Sequence, residues 1–176
     1  MSRRNLLRAG TGIAAGLVLS PVAAVPNAPA ERSLSFHNTH TGESATAVYW
    51  ADGGYVASGL REIDIILRDH RSGDVCAIER ELLDLLYVLR EKLACDSAYQ
   101  VISGYRSPAT NAALRKSSPG VAKRSYHMQG KAIDIRLPGC ELRQLHRAAL
   151  DLRAGGVGYY GASDFIHVDV GPVRRW

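Results

Sequence analysis

Lys131-Ala-Ile-Asp-Ile-Arg-Leu137 and Phe165-Ile-His-Val-Asp-Val170 both alternate strictly between two kinds of side chain. Neighbouring side chains of a strand point to opposite faces, so a period of two predicts two β-strands. Ile133, Ile135 and Leu137 share one face of the first, opposite Ala132, Asp134 and Arg136. In the second, Ile166, Val168 and Val170 oppose Phe165, His167 and Asp169. Such strands suit a sheet with one core face and one wet face, the habit of antiparallel sheets.

The flanking sequence extends this pattern. Leu34–His37 and Ala47–Trp50 border Thr41-Gly42-Glu43 and predict a hairpin, with a turn at Asp52-Gly53-Gly54. Leu60, Ile63, Ile66 and Leu67 fall on one helical face, with Ser58 as candidate N-cap. Ile78, Leu82, Leu85, Leu86, Leu89 and Leu93 recur at three- and four-residue steps and predict a helix over 76–94. Tyr99–Ser103 reads as a strand, and Ser107-Pro108 opens a short helix to about Lys116. A polar loop to Arg124 follows. Leu142, Leu145, Ala149 and Leu152 mark a further helix, and Gly156–Tyr160 a further strand. The expectation is an α+β domain with a largely antiparallel central sheet, helices on one face and a cleft on the other.

With 176 residues, 46% apolar and 22% charged, the chain has material for one core, and neither disorder nor a periodic fibrous structure fits. The single domain is placed at 31–176. Ahead of it, Arg3-Arg4-Asn5-Leu6-Leu7-Arg8 precedes an uncharged stretch from Ala9 to Ala24. That run of about 16 residues is short for a bilayer span, which needs ~20. Small residues at Val22–Ala24 and Ala28–Ala30 offer cleavage sites. Residues 1–30 resemble a twin-arginine export signal with its linker, which implies a periplasmic or cell-envelope location. Removing 1–24 takes away three arginines and no acid, lowering the net charge from +5 to +2. A nucleic-acid partner loses its support, and no later segment reaches membrane-spanning length.

Three cysteines cannot all pair within one chain. The predicted 76–94 helix would hold Cys76 and Cys95 ~27 Å apart, well beyond the ~7 Å of bridged Cα atoms. Pairing of Cys140 with either stays open, and buried free thiols are the simpler expectation.

His and Asp are unusual choices for the wet face of a strand. His127 stands seven positions before Asp134, and Gly130 between them permits the turn that would bring them together. His127, Asp134 and His167 would form a three-ligand set with one tetrahedral position open, the pattern of a catalytic zinc rather than a structural one. Asp164 and Asp169 flank His167 as nearby carboxylates. Gly156-Val-Gly158-Tyr-Tyr-Gly161 fits the dinucleotide-binding pattern letter for letter. It is excluded because a strand, not a helix, follows. His37, His40, His70 and His146 read as structural or solvated.

Ser125-Tyr-His127-Met-Gln-Gly130-Lys-Ala132-Ile-Asp134, followed by Asp164-Phe-Ile-His167-Val-Asp169, resembles the signature of a zinc peptidase group. The group is named for lysostaphin, D-Ala-D-Ala carboxypeptidase and sonic hedgehog. Leu34–Trp50, Ser103-Gly104-Tyr105-Arg106-Ser107 and Gly155–Tyr160 make the chain most similar to its murein endopeptidase K type. The resemblance spans about 33–176. It implies a hedgehog-like α+β fold and a single zinc ion on His127, Asp134 and His167. Asp164 matches the position of a catalytic glutamate, one methylene shorter, and Arg106 matches an arginine that binds substrate or steadies an oxyanion. Asp169, Ser125 and Tyr105 would support the site or touch substrate. The implied activity is hydrolysis of peptidoglycan cross-links by a monomer, with meso-diaminopimelate 3–3 links favoured. A D-Ala-D-Ala carboxypeptidase and a non-catalytic wall-binding module are the alternatives.

Overall fold

The computed structural model describes residues 31–118 and 120–176, so the expected export signal and linker lie outside the described residues. The strands are β1 (Glu31–Asn38), β2 (Ser44–Ala51), β3 (Gly54–Tyr55), β4 (Tyr99–Ser103), β5 (Ala132–Arg136), β6 (Gly156–Tyr160), β7 (Phe165–Asp169) and β8 (Arg174–Arg175). The helices are α1 (Ala57–Ile66), α2 (Arg80–Leu93), α3 (Pro108–Ser117) and α4 (Leu142–Leu152). All eight strands form one sheet in the order β3-β2-β1-β4-β5-β7-β6-β8. The fold is α+β, but the sheet is mixed. β1 and β4 run parallel, with β2, β3, α1 and α2 between them in the chain, as do β6 and β8, with β7 between them. The other neighbours are antiparallel.

Alternation divides the sheet as the sequence predicts. Leu34, Phe36, Val101, Ile133, Ile135, Val157, Ile166 and Val168 are buried in one core with Ile63 of α1, Leu82, Leu86 and Leu89 of α2, and Leu145 of α4. Asp84 of α2 ties the hairpin to this layer. It accepts hydrogen bonds from Tyr49 Oη (3.0 Å), Tyr55 Oη (2.7 Å) and Arg32 Nη1 (3.0 Å).

Two helix starts differ from expectation. α1 begins at Ala57 with Val56 as N-cap, so Ser58 lies inside the helix rather than capping it. α2 begins at Arg80, not 76, because Glu79 is its N-cap with a non-helical backbone, and the segment before it is tied to other elements. Ile78 N–H donates to Asp64 Oδ1 (2.8 Å) and Glu79 N–H to Gly130 O (3.0 Å). Ile78 is still buried, so its apolar periodicity reports the core and not the helix. The cysteines are free but half-buried, not fully buried.

Asp69, in the turn after α1, was not singled out by any motif. Its side chain accepts from Arg71 N (3.0 Å) and Ser107 N (2.9 Å), pinning the start of α3 next to Arg106. Burial alone would raise its pKa. Hydrogen bonds from Thr110, Ser107 and Arg71 outweigh burial and hold the carboxyl below its ordinary range. Asp69→Ala leaves the buried Ser107 N–H without an acceptor, and the part-buried Arg71 N–H to solvent, and is expected to cost about 1–3 kcal/mol in urea unfolding near neutral pH. Because the folded-state pKa is depressed, the stabilisation is present above the ordinary value of ~4 and lost as pH falls below it. The gap between wild type and Asp69→Ala should therefore narrow in acid.

Candidate metal centre

The register of the sheet builds the site. Ser103, Asp134, His167 and Gly158 are aligned as successive partners across β4, β5, β7 and β6. Asp134 and His167 thus become neighbours although 33 positions separate them. His127 arrives by a different route. It lies in a 3-10 turn, Tyr126–Gln129, whose cap Ser125 accepts from His127 N–H (3.4 Å). Gly130 ends the turn at φ +66, and a Cβ there would overlap Ala77 O, so only glycine fits both the backbone and the space.

Three atoms converge. His127 Nε2 lies 3.2 Å from His167 Nδ1 and 3.3 Å from Asp134 Oδ1, and His167 Nδ1 lies 2.9 Å from Asp134 Oδ1. These are close to the ~3.3 Å edges of a tetrahedron with metal–ligand distances of ~2.0–2.1 Å. Each ring is anchored through its outer nitrogen, which leaves the inner one, His127 Nε2 or His167 Nδ1, to offer a lone pair to a cation. His127 Nδ1–H donates to Gly104 O (2.7 Å), and His167 Nε2–H donates to Asp169 Oδ2 (2.9 Å). Two imidazole nitrogens and a carboxylate oxygen, each anchored from behind, fit a divalent cation of the zinc type.

The residues are nearly inaccessible, with His127 2%, Asp134 5%, His167 8% and Asp169 0% exposed. Burial pushes the His127 pKa down, against the pull of Asp134. Burial also acts on His167, but hydrogen bonds to Asp134 and Asp169 outweigh it and raise the pKa. Asp134 is held far below the carboxylate range by His127 and His167 despite its burial.

The cluster lies in a cleft of about 720 Å³, bordered by Ser125, Tyr126, Tyr160, Phe165 and Trp176 and by the guanidinium groups of Arg106, Arg124 and Arg174. Arg106 Nη2 donates to Asp134 Oδ2 (2.5 Å) and Nε to Ser103 Oγ (2.8 Å). Asp169 is behind His167 and does not line the cleft. Two expected members stand apart. Tyr105 packs against the apolar core, its N–H bound to Leu67 O (2.8 Å). Asp164 follows the 3-10 turn Gly161–Ser163 at φ +52, and its exposed carboxylate is bound by Arg136 Nη1 at 2.8 Å, outside the cleft. Arg174 and Trp176, which do line it, were missed by the sequence reading. Neither sits in a periodic stretch.

In the metal-free protein, His167 is expected to titrate above and His127 below the ordinary imidazole value in an NMR pH series. A folded-state pKa that is raised contributes stability fully present below ~6.5 and lost as pH rises through the raised value. The metal-free melting temperature should carry this contribution from His167.

Residues 26–176 match the family model described as peptidoglycan L,D-endopeptidase MepK. The chain is 42% identical over 176 residues to the peptidoglycan L,D-endopeptidase MepK of Escherichia coli K12, with 99% of this chain and 97% of that protein aligned. The Shigella flexneri protein of that name aligns with the same figures. A probable peptidoglycan L,D-endopeptidase MepK of Haemophilus influenzae is 42% identical over 178 residues, covering 99% of this chain and 95% of that protein. No solved structure matches. The resemblance carried by Ser125–Asp134 and Asp164–Asp169 is borne out: the chain belongs to the M15 peptidase family of the peptidoglycan L,D-endopeptidases MepK.

Proposed function

We propose that this chain is a zinc-dependent endopeptidase that hydrolyses peptide cross-links of peptidoglycan during remodelling of the cell wall. One observation carries the reading: His127, Asp134 and His167 converge in a cleft, in a chain of the peptidoglycan L,D-endopeptidase family. Those three side chains hold one zinc ion per chain. Bound zinc supplies Lewis-acid activation of water and of the amide carbonyl.

The remaining work falls to the protein's own groups. Gly104 O and Asp169 keep the two imidazoles oriented with their lone pairs inward. Arg106, anchored through Nε and Nη2, keeps Nη1 for the carbonyl oxygen of the bond being cut, where negative charge develops. Ser125 holds the turn that presents His127. Positive charge from Arg124 along the cleft suits stem peptides, which carry free carboxylates. The L,D designation of the relatives favours 3–3 links between meso-diaminopimelate residues. Asp164 is not given the role of proton acceptor, since Arg136 engages it outside the cleft.

With such a substrate the 31–176 domain acts in the periplasm or envelope, behind an export signal at 1–30, and the proposal takes it as a monomer. Among the described residues no helix is long and apolar enough to cross a membrane.

Zinc-loaded protein incubated with 3–3 cross-linked muropeptide dimers should yield monomers by mass analysis, and chelator should abolish the reaction. Release of free alanine from pentapeptide muropeptides assayed alongside would instead make it a carboxypeptidase, and no change in either substrate would overturn the enzymatic reading. His127→Ala or Asp134→Ala should lower the rate roughly 100-fold or more. Arg106→Ala should lower it about 10²–10³-fold. Asp164→Ala should stay within about threefold of wild type, as expected for an exposed ion pair.

A further inference from the structure

The glycines of Gly156-Val157-Gly158, excluded above as a nucleotide loop, have a use in this fold. Val157 faces the core, so Gly156 and Gly158 lie on the site face of β6. A Cβ on Gly156 would come within 2.6 Å of Arg174 Nη1 and Asp169 Oδ2, and one on Gly158 within 2.6 Å of the Trp176 indole. The two missing side chains make berths for residues of the following strand. β8 is held there by parallel pairing with β6 and by Tyr159 N–H to Trp176 O (3.0 Å) and Trp176 N–H to Val157 O (3.2 Å).

From these berths Arg174 grips the carboxylate behind the metal ligand. Its Nη2 donates to Asp169 Oδ2 (2.6 Å) and its Nη1 to Asp169 Oδ1 (3.1 Å), the fork geometry of a bidentate pair. Gly156 N–H (3.1 Å) and Gly171 N–H (2.8 Å) also reach Oδ1, so Oδ2 is left to Arg174 and His167 Nε2. The guanidinium is stacked between Tyr126 and Trp176, its carbon 5.2 and 5.1 Å from their ring centres. The indole is 5.2 Å from the His167 ring and donates through Nε1 to Tyr160 Oη (2.9 Å).

We propose that Arg174 is a positioning residue for the metal centre: seated by Gly156, Gly158 and Trp176, it locks the Asp169 carboxylate that orients His167. The proposal rests on the reading of His127, Asp134 and His167 as metal ligands. Without Arg174, Oδ2 of Asp169 keeps only the imidazole as partner and the carboxylate is held through Oδ1 alone, by the Gly156 and Gly171 N–H groups, so the ring is less tightly directed. A lysine supplies the charge without the fork.

The test uses the full chain, stripped with chelator, and reads zinc affinity by competition with a chromophoric chelator. The cobalt-substituted absorption spectrum and the melting temperature of the metal-free form are recorded alongside. Arg174→Met is expected to weaken zinc binding about 10- to 100-fold, the usual effect of losing an outer-shell partner. Its cobalt spectrum should shift, and Arg174→Lys should fall between it and wild type. If Arg174→Met does not fold, Trp176→Leu replaces it, with the same spectral shift and a smaller loss of affinity expected. A folded Arg174→Met or Trp176→Leu whose zinc affinity stays within twofold of wild type, with an unaltered cobalt spectrum, overturns the proposal. Failure of the wild-type protein to bind zinc or cobalt would overturn the ligand reading itself, a separate result.

Discussion

The pairing of β5 with β7 is the constraint on which the rest of this molecule depends. Placing Asp134 directly beside His167 fixes two members of the cluster by backbone hydrogen bonding, before any side chain contributes. A slip of β5 by one residue would turn Asp134 to the core face and bring Ile133 or Ile135 into the cleft. The apolar half of the same alternation prevents that slip, because Ile133, Ile135, Ile166 and Val168 are fully buried on the other side. Core and site are two readings of one register.

Around this row the fold spends its polar groups on orientation. His127 is backed by a carbonyl, His167 by a carboxylate, Asp134 by a guanidinium, and that guanidinium by Ser103. Each buried polar atom that faces the centre therefore has a partner on the far side, which matters where desolvation leaves unpaired groups costly. Arg106 is itself placed by Asp69 through the N–H of Ser107. A loop carboxylate some 35 residues upstream thus reaches the cleft through two contacts.

The sequence alone carried much of this, and the gaps have physical causes. The two strands were legible because alternation is written in every residue, and His127 joined them through Gly130 and a recognisable motif. Asp164 was expected at the centre from its place three residues before His167. The left-handed backbone at that position gives its carboxylate to Arg136 instead, and spacing alone does not encode such a turn. Arg174 and Trp176 left no trace because a two-residue strand has no period to detect. Their signal was the pair of glycines at 156 and 158, whose meaning appears only when another strand is laid over them. α2 starts late for a similar reason: Ile78 and Glu79, just before it, are tied to Asp64 and Gly130, contacts that no local period records.

Both margins of the sheet end in two-residue strands, β3 on one side and β8 on the other. Beyond β3, the margin of β2 is screened by α1, whose Gly59 sits against Val48 O too closely for a side chain. β8 closes the opposite margin with consecutive arginines. Long bare edges invite strand-to-strand association between molecules, and short, charged or covered ones discourage it. A sheet trimmed in this way can be concentrated without templating its neighbours into aggregates.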